Sequence, residues 1–489
     1  MPGSDEVLVM SGKIVTLIHP GFPPARFKLL LLSCCINLAL TSVVSAQTFY
    51  VSVSDDDGTG LRDNTLSWAI LRANTHPGGD FIDLQTDVKI TGVMKRLLDS
   101  DITLRGNDHT IDGDYSFRPL FVKSGSVNLN HLNLVNGLAR GGASGIGGAG
   151  AGLGGALFIY TGALTLDHVS INGNDSLGGS AGSGLGTGGG GMFGSARDTG
   201  GGGAGLFSDN AGGFGAYAGY GSYGGSGGLY DAYDAGKNGG DGGFAGGGGA
   251  GKNGGAGGFA GGGGYGTDNN GGTGGFGGGG GYGWGNNGGN GGFGAGGGGG
   301  YSSIAAGGWG GGDGSLVCGD DYGYGGGGAG LGGGIFVRQG VLTLRDSEIN
   351  RNRAHRGQGV IGNCDQSKNG VGKGGAIFIC TDVESKDCDS RVSANSCAVT
   401  YSQNSADDGE DDIYAPGASN FPAFCNSNCD LSAQLITGTV PYSCPDLQLL
   451  SNFWIAADGI ATLSATNSIE LGSGFSVAAG GMARVTMNP

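Results

Sequence analysis

Imidazole and carboxylate groups recur at matching positions of three similar segments. The segments are residues 126–137 (SVNLNHLNLVNG), 163–174 (ALTLDHVSINGN) and 341–352 (VLTLRDSEINRN). Their alignment places His131, His168 and Asp346 in one column, with Asp167 in the column beside it. If the segments stack as neighbouring strands, about 4.8 Å apart, the two histidines touch. A carboxylate beside an imidazole can transfer protons, as a polysaccharide lyase or hydrolase requires, so these four residues are the catalytic candidates.

The same column also has a conformational interpretation. Each segment contains two short stretches of alternating apolar residues, such as Leu164/Leu166 and Val169/Ile171, separated by two polar residues. Alternation is typical of a β-strand, and a two-residue polar break predicts a corner between short strands. Asn, Asp and His are favoured at such corners because their side chains bond nearby backbone groups. We therefore favour turn residues over a catalytic site here.

A group of oxygen ligands lies in residues 407–412, DDGEDD. The metal candidates in it are Asp407, Asp408, Glu410 and Asp411. Calcium prefers oxygen-rich loops, but the spacing is not that of an EF-hand. A solvated turn is the favoured interpretation. The sequence therefore predicts no cofactor, with calcium as the alternative.

Residues 1–46 predict an export signal. Arg26 and Lys28 precede an apolar run over residues 29–44, and Val44 and Ala46 are small residues at the −3 and −1 positions of a cleavage site. The apolar run is too short to span a bilayer comfortably. We expect cleavage after Ala46 and a secreted or cell-surface product without a stable membrane span; a membrane anchor is the alternative.

Eight cysteines follow that cleavage site, and an even number predicts disulfides in an exported chain. They are Cys318, Cys364, Cys380, Cys388, Cys397, Cys425, Cys429 and Cys444. The spacing of Cys425 and Cys429 also fits a metal site, but no histidine follows His355, which disfavours a Cys-His zinc site. The sequence leaves the pairing open.

Glycine dominates the composition, with 119 of 489 residues against an average usage of about 7%. Collagen is excluded because glycine does not recur at every third position and the chain has only 11 prolines. The net charge of −16 argues against nucleic acid and anionic membrane surfaces as partners.

Two glycines followed by an apolar strand form a second repeated unit, at residues 154–159, 333–337 and 374–379. Together with the two strands of each aligned segment, this unit gives three short strands per repeat. Such a pattern predicts an all-β chain folded as a parallel β-helix, in which each turn of chain buries its apolar residues on the next. Residues 66–74 (LSWAILRAN) predict a short helix that caps the first turn. A β-sandwich is the alternative, but two-residue hairpin turns are sparse.

The chain resembles bacterial right-handed parallel β-helix surface proteins, including the polymorphic outer membrane protein repeats and the pectate-lyase-like fold. The resemblance rests on the run from Asp56 through Gly60, LSWAI at 66–70, Ala73-Asn74, PGGD at 77–80, Ile82, the Gly-Gly-apolar-Phe units, Asn172-x-Asn174 and Asn350-x-Asn352. It covers roughly residues 48–177 and 331–416 and implies the right-handed solenoid fold. That fold hosts adhesins, lyases and hydrolases, so the resemblance implies no single activity.

The glycine-rich insertion has its own repeat, in which Asn and Phe lie six residues apart four times, ending at Phe244, Phe259, Phe276 and Phe293. An extended three-residue helix, paired between adjacent stretches through backbone groups, accounts for such regularity; disorder is the alternative. Aromatic rings on this scaffold can stack on sugar rings or on each other. The binding candidates are Phe244, Phe259, Phe276, Phe293, Tyr265, Tyr282, Trp284 and Tyr301. Packing of these rings onto the solenoid is an equally weighted interpretation.

The glycine-rich segments, residues 137–155, 178–334 and 355–375, each follow an Asn-ending strand and finish at a Gly-Gly-apolar start. We therefore expect all three at the same edge of the solenoid.

Five regions follow from these patterns. They are residues 1–46 (signal peptide), 47–177 (N-terminal cap and first turns), 178–330 (glycine-rich insertion), 331–416 (later turns) and 417–489 (a small C-terminal β module with cysteines). The leading hypothesis is a secreted, non-enzymatic surface protein that contacts a polysaccharide, a host or neighbouring cell surface, or itself through the insertion. The alternative is a polysaccharide lyase or hydrolase on the same scaffold.

Overall fold

A computed structural model gives the fold, which is nearly all β, with one α-helix among the described residues. It describes residues 46–182, 186–192, 194–196, 238–317, 322–361, 367–386, 388 and 399–415. For residues 7–10, 13–16, 395–397 and the C-terminal strands it describes the backbone.

Residues 1–46 form a unit of their own. Its described part is an antiparallel hairpin of β1 (Val7–Met10) and β2 (Lys13–Thr16). The predicted apolar run of the signal, residues 29–44, lies outside the described residues. In the part of the chain that the structure describes, no helix has the length and apolar character needed to cross a membrane.

The second unit begins with seven short strands and the helix. They are β3 (Thr48–Val51), β4 (Asp55–Asp56), α1 (Leu66–Thr75), β5 (Asp80–Leu84), β6 (Val88–Ile90), β7 (Ile102–Arg105), β8 (Thr110–Asp112) and β9 (Leu120–Val122). The Thr65 hydroxyl caps α1 by accepting the Trp68 backbone N–H at 3.3 Å. Leu66, Ala69 and Ile70 form part of its buried face, at helical spacing. The predicted helix is confirmed, and it packs against β3 and β5, of which β3 ends its sheet.

From β9 onward the chain passes repeatedly through the same sheets in the same order, and we call one passage a layer. The strands to residue 177 are β10 (Ser126–Val135), β11 (Leu138–Arg140), β12 (Gly152–Leu153), β13 (Leu157–Ile159), β14 (Ala163–Asn172) and β15 (Asp175–Leu177). After the insertion come β16 (Gly330–Leu331), β17 (Ile335–Val337), β18 (Val341–Arg345), β19 (Glu348–Asn350), β20 (Arg353–His355), β21 (Gly372–Lys373), β22 (Ile377–Ile379), β23 (Asn395–Cys397), β24 (Thr400–Ser402), β25 (Ser405–Ala406) and β26 (Ile413–Tyr414).

Each strand of a layer pairs in parallel with its equivalent in the next layer. The orders along the sheets are β23-β18-β14-β10-β7-β5-β3, β11-β15-β20-β25, β12-β16-β21 and β26-β22-β17-β13-β9. The register is that of the sequence repeat, since Leu129 pairs with Leu166 and Leu166 with Leu344. Residues 178 apart in the chain therefore become neighbours.

The core consists of aliphatic side chains that alternate with solvent-facing residues along β10 and β14. The strands β9, β13, β17 and β22 are instead buried on both faces. In β13, Leu157 and Ile159 join the aliphatic core, whereas Phe158 points to a second apolar cluster that also contains residues of the insertion. The insertion therefore covers the outer face of this sheet.

The glycine-rich segments leave the fold at one edge, as predicted. Each begins after a strand of the β11-β15-β20 sheet and returns in the β12-β16-β21 sheet. The segments also bond to one another, as when the Gly328 N–H donates to Gly179 O at 2.9 Å and the Gly357 N–H to Gly328 O at 2.7 Å.

The long insertion is an ordered backbone network over residues 238–317. Every third backbone N–H from Gly239 to Gly251 donates to a carbonyl of the following repeat, at 2.7 to 3.1 Å. A three-residue period is that of a polyproline II helix, the conformation predicted for this segment. Adjacent stretches lie so close that a Cβ built on Gly258 would be 1.9 Å from Gly243 O, which explains the glycine content.

Asn and Phe mark the two ends of each repeat. The Asn253 amide donates to Asn238 Oδ1 at 2.8 Å, and the Asn270 backbone N–H donates to Asn253 Oδ1 at 3.4 Å. At the other end the Phe rings stack on one another, beginning with Phe244 and Phe259 at 4.9 Å. Their fixed separation therefore follows from a polar ladder at one end of each stretch and an aromatic ladder at the other.

A buried asparagine ladder stabilises the corner that follows β14 and β19. Asn174, Asn352 and Asn404 are at most 8% exposed. The Asn174 side-chain amide donates to Asn352 Oδ1 at 2.9 Å, and the Asn352 amide donates to Asn404 Oδ1 at 3.1 Å. The Asn-x-Asn sequence signal therefore reports a structural hydrogen-bond network.

Residues 417–489 contain the β structure predicted for them. The strands are β27 (Asp430–Leu431), β28 (Leu435–Ile436), β29 (Thr439–Leu449), β30 (Trp454–Ile455), β31 (Ile460–Leu471), β32 (Ser476–Val477) and β33 (Met482–Met487). They form two parallel sheets, β27-β29-β31-β33 and β28-β30-β32.

Candidate functional site

The predicted corner column forms at one exposed turn of the large sheet. His131 and His168 lie in the middle of β10 and β14, and Asp346 lies between β18 and β19. All three have left-handed backbone angles, with φ of 48°, 55° and 41°. This is the conformation that Asn, Asp and His adopt most readily at corners, so the conformational interpretation accounts for the residue types.

The column is also a cluster of polar functional groups. The rings of His131 and His168 stack with centroids 4.8 Å apart and planes 13° apart, as the sequence alignment predicts. His168 Nδ1 lies 2.7 Å from Asp167 Oδ1, while His131 Nδ1 lies 3.4 Å from Asp108 Oδ1. The two imidazoles are 54% and 53% exposed, so the cluster stands on an open surface. An imidazole with a carboxylate can relay a proton here.

Two cavities of the described residues lie away from this column. A cleft of about 390 Å³ is lined by residues that include Phe117, Arg118, Arg140 and Met192. Arg118 donates to Gly154 O at 2.7 Å, and burial lowers the pKa of its guanidinium to about 9. A second cavity of about 470 Å³ lies beside α1. None of the four catalytic candidates lines either cavity.

The four repeat phenylalanines of the insertion pack onto the sheet. Their stack continues from Phe276 to Phe293 at 4.7 Å and on to Trp309 at 5.5 Å. It faces the parallel stack of Phe121, Phe158, Phe336, Phe378 and Tyr414, whose neighbouring centroids are 4.6 to 5.2 Å apart. Edge contacts join the two ladders, as between Phe276 and Phe336 at 6.2 Å.

This packing favours the packing interpretation over the binding prediction for Phe244, Phe259, Phe276 and Phe293. Phe276 and Phe293 are 7% and 5% exposed, and Phe244 and Phe259 are partly buried against the same cluster. Because their faces contact other rings, they stabilise the insertion on the sheet and leave little surface for a ligand. The packing interpretation therefore describes these four residues.

The other aromatic candidates gather at the opposite end of the glycine stretches, and we call them the distal aromatic cluster. Its members are the candidates Tyr265, Tyr282, Trp284 and Tyr301, together with Tyr322, which is not among the predicted binding residues. The rings of Tyr265 and Tyr282 stack at 6.1 Å, and Trp284 lies 6.4 Å from Tyr282 and 6.1 Å from Tyr322. Six residues of extended helix separate the two ends, or roughly 19 Å at about 3.1 Å per residue.

Exposure differs sharply within the distal aromatic cluster. Trp284, Tyr301 and Tyr322 are 52%, 61% and 50% exposed, whereas Tyr282 is 1% exposed. Burial, followed by the neighbouring tyrosines, raises the pKa of Tyr282 to about 12, so this phenol stays neutral. Tyr282 therefore supports the cluster, and the three exposed rings form its accessible surface.

The acidic candidates of residues 407–412 bond to protein groups. Asp407 lies 3.1 Å from His355 Nδ1, Asp408 lies 2.7 Å from Arg356, and Glu410 pairs with Lys373. Asp411 Oδ1 accepts the Ala406 backbone N–H at 2.8 Å. These contacts fit the interpretation of residues 407–412 as a charged turn.

One disulfide forms among the described cysteines, between Cys380 and Cys388. Both are buried in the second apolar cluster, which also contains Phe378. The side chains of the other six cysteines predicted to form disulfides lie outside the described residues.

Several residues of the aromatic interface escaped the sequence analysis. Arg338 lies 4.4 Å from the ring centre of Tyr160, directly after β13, and 5.1 Å from that of Phe276, so a cation contacts both the end of this strand and the insertion's ladder. Trp309 and Tyr414 end the ladders, 5.5 Å apart. The sequence signal that could have identified Arg338 is its position directly after a Gly-Gly-Ile-Phe-Val unit.

Comparison with known proteins found no similar protein family, curated protein or solved structure for this chain.

Proposed function

We propose that this chain is a secreted, non-enzymatic surface protein that binds polysaccharide through the distal aromatic cluster. In this proposal the parallel sheets form a right-handed β-helix, and the insertion is a rigid support that holds the aromatic rings away from it. The signal-like residues 1–46 support export, and the parallel layers with one repeated register support the solenoid.

The observation that carries the proposal is the exposure of Trp284, Tyr301 and Tyr322 on an otherwise glycine-rich scaffold. Exposed large aromatic rings mark binding sites, because burying them gains apolar contact at little loss of side-chain freedom. A ring face matches the apolar face of a sugar ring. Ordering the support in advance avoids the entropy that a flexible glycine loop would lose on binding.

The test compares matched single substitutions at exposed aromatic residues. Purified mature protein is assayed by affinity electrophoresis against neutral and acidic polysaccharides, with Trp284→Ala and Tyr322→Ala as test variants. Tyr115→Ala, at a residue that is 66% exposed outside the insertion, is the control. We expect at least a tenfold loss of affinity in the test variants, since a central aromatic anchor contributes about 2 kcal/mol or more. Equal affinity in all variants, or no binding to any polysaccharide, contradicts the proposal.

Two other outcomes point to different functions. A mass that rises with protein concentration in sedimentation, and falls in Trp284→Ala, would assign the cluster to self-association. Turnover of a polysaccharide that is lost in His168→Gln would favour the lyase or hydrolase. Point substitutions are preferable to deletion of the insertion, because deletion would expose Phe158, Phe336 and Phe378, which are now 0% exposed.

A further inference from the structure

Three metal-ligating groups from two layers converge at the corner column. One ligand atom each from Asp167, His168 and Asp346 lies within 4.8 Å of the others. This is the one such group of three or more His, Cys, Asp or Glu residues among the residues that the structure describes. Asp167 and His168 belong to β14, whereas Asp346 belongs to the layer after the insertion.

The third ligand distinguishes this cluster from other histidine–carboxylate pairs in the chain. His109 lies 3.2 Å from Asp87, and His355 lies 3.1 Å from Asp407, but neither pair belongs to a group of three. A pair of side chains holds a cation weakly, whereas three ligands and a water complete a tetrahedral zinc site. The chain therefore contains its own two-ligand controls.

Small side-chain movements would bring the three ligands to bonding geometry. Zinc lies about 2.0–2.2 Å from imidazole nitrogen and carboxylate oxygen, so its tetrahedral ligands lie roughly 3.3–3.5 Å apart. His168 and Asp167 are 53% and 41% exposed and already 2.7 Å apart, and Asp346 is exposed and has room to rotate. The stack with His131 restricts the plane of the His168 ring.

The donor set selects among cations. One imidazole and two carboxylates match zinc and related first-row divalent ions better than calcium, which takes six to eight oxygens. The two carboxylates supply negative charge, and Arg345, whose backbone pairs with Asp167, is the positive residue next to Asp346 in the sequence. His131 stacks on His168, and its partner Asp108 adds a further carboxylate nearby.

We propose that Asp167, His168 and Asp346 bind one divalent transition-metal ion of the zinc class. The ion joins the layers on either side of the glycine-rich insertion, where residues 178 positions apart in the chain pair. Because the ion binds only where both layers are in register, it stabilises the folded chain. This inference does not depend on the proposed polysaccharide binding.

The test uses ZnCl₂ titration of the full mature chain by calorimetry, with Co²⁺ as a spectroscopic probe. His168→Gln and Asp346→Asn are the test variants, and His109→Gln and His355→Gln are the controls. We expect one site in the parent and controls, at least tenfold weaker binding in both test variants, and a Co²⁺ spectrum of nitrogen and oxygen ligands without thiolate bands. Zinc should also raise the melting temperature of the parent but not of Asp346→Asn.

Equal zinc affinity in the parent, His168→Gln and Asp346→Asn would overturn the proposal. So would a Co²⁺ spectrum with thiolate bands that these substitutions leave unchanged, since it would assign the metal to cysteines. Loss of binding in His109→Gln and His355→Gln as well would show nonspecific binding by histidines. All substituted residues lie on the surface, so circular dichroism spectra should match the parent and exclude misfolding as the cause.

Discussion

Adding a single methyl group to the glycine-rich insertion should destabilise the chain, because the adjacent stretches leave no space for it. In Gly280→Ala the new Cβ would lie 1.7 Å from Gly289 O and 2.4 Å from Gly289 C. Both are backbone atoms of the adjacent stretch, so no side chain can rotate away. The tolerance of this position therefore reports directly on whether the insertion is packed as described.

The magnitude follows from the contacts that must move. An ordinary van der Waals contact is about 3.5 Å, so the Gly289 carbonyl must shift by well over 1 Å. That carbonyl accepts the Gly298 N–H at 2.9 Å, and the shift breaks this bond. Overpacking costs about 1–3 kcal/mol and the lost hydrogen bond about 1 kcal/mol. The lower entropy of unfolded alanine offsets about 0.4–1 kcal/mol, which leaves a net loss of roughly 1–4 kcal/mol in the free energy of unfolding.

The matched control is Gly79→Ala, where the nearest atom to the new Cβ would be Asp101 Cβ at 3.8 Å. This is an ordinary contact, so the substitution should be neutral or slightly stabilising. Urea unfolding followed by tryptophan fluorescence gives the free energies, and amide hydrogen exchange shows whether protection falls in residues 238–317. If Gly280→Ala unfolds at the same urea concentration as Gly79→Ala and keeps its protection, the packed arrangement is refuted.

Three further predictions concern the sheets. Phe276→Ala should destabilise the chain by about 3–5 kcal/mol in urea unfolding, because its ring contacts both aromatic ladders. Trp284→Ala should change the free energy of unfolding by less than about 1 kcal/mol. Equal losses in the two variants would contradict this packing. Asn352→Ala should cost about 2–4 kcal/mol through unpaired buried groups, and Asn350→Ala, at a half-buried residue, under about 1 kcal/mol. Thermal melting would detect a reversed order. Burial raises the pKa of Asp175, so its contribution to stability falls as pH rises above its usual value of 3.8. Asp175→Asn should therefore gain stability relative to the parent with rising pH in that range, and parallel curves would refute this.

A residue's role could be predicted from the sequence when its partners follow from a local pattern, and could not when they lie far along the chain. Alternation in residues 163–172 and the Asn-x-Asn spacing are local, so the strands, corners and stacking of His131 on His168 followed from alignment alone. The roles of Phe259 and Phe276 could not follow in this way, because the sheet that buries them is formed by residues far along the chain. A ring that binds a ligand and a ring that packs on another ring have the same sequence signal.

The sequence by itself determined the β content, the parallel register and the common edge of the glycine-rich segments. Period-two alternation and repeated units specify which residues must meet, since every layer has to bury the same face. The tertiary structure decided which side chains of the insertion pack on the sheet and which stay exposed. It turned four phenylalanines toward the sheet and left Trp284, Tyr301 and Tyr322 exposed. The physical reason is that the insertion's orientation is set by aromatic packing between distant residues, which no local pattern encodes.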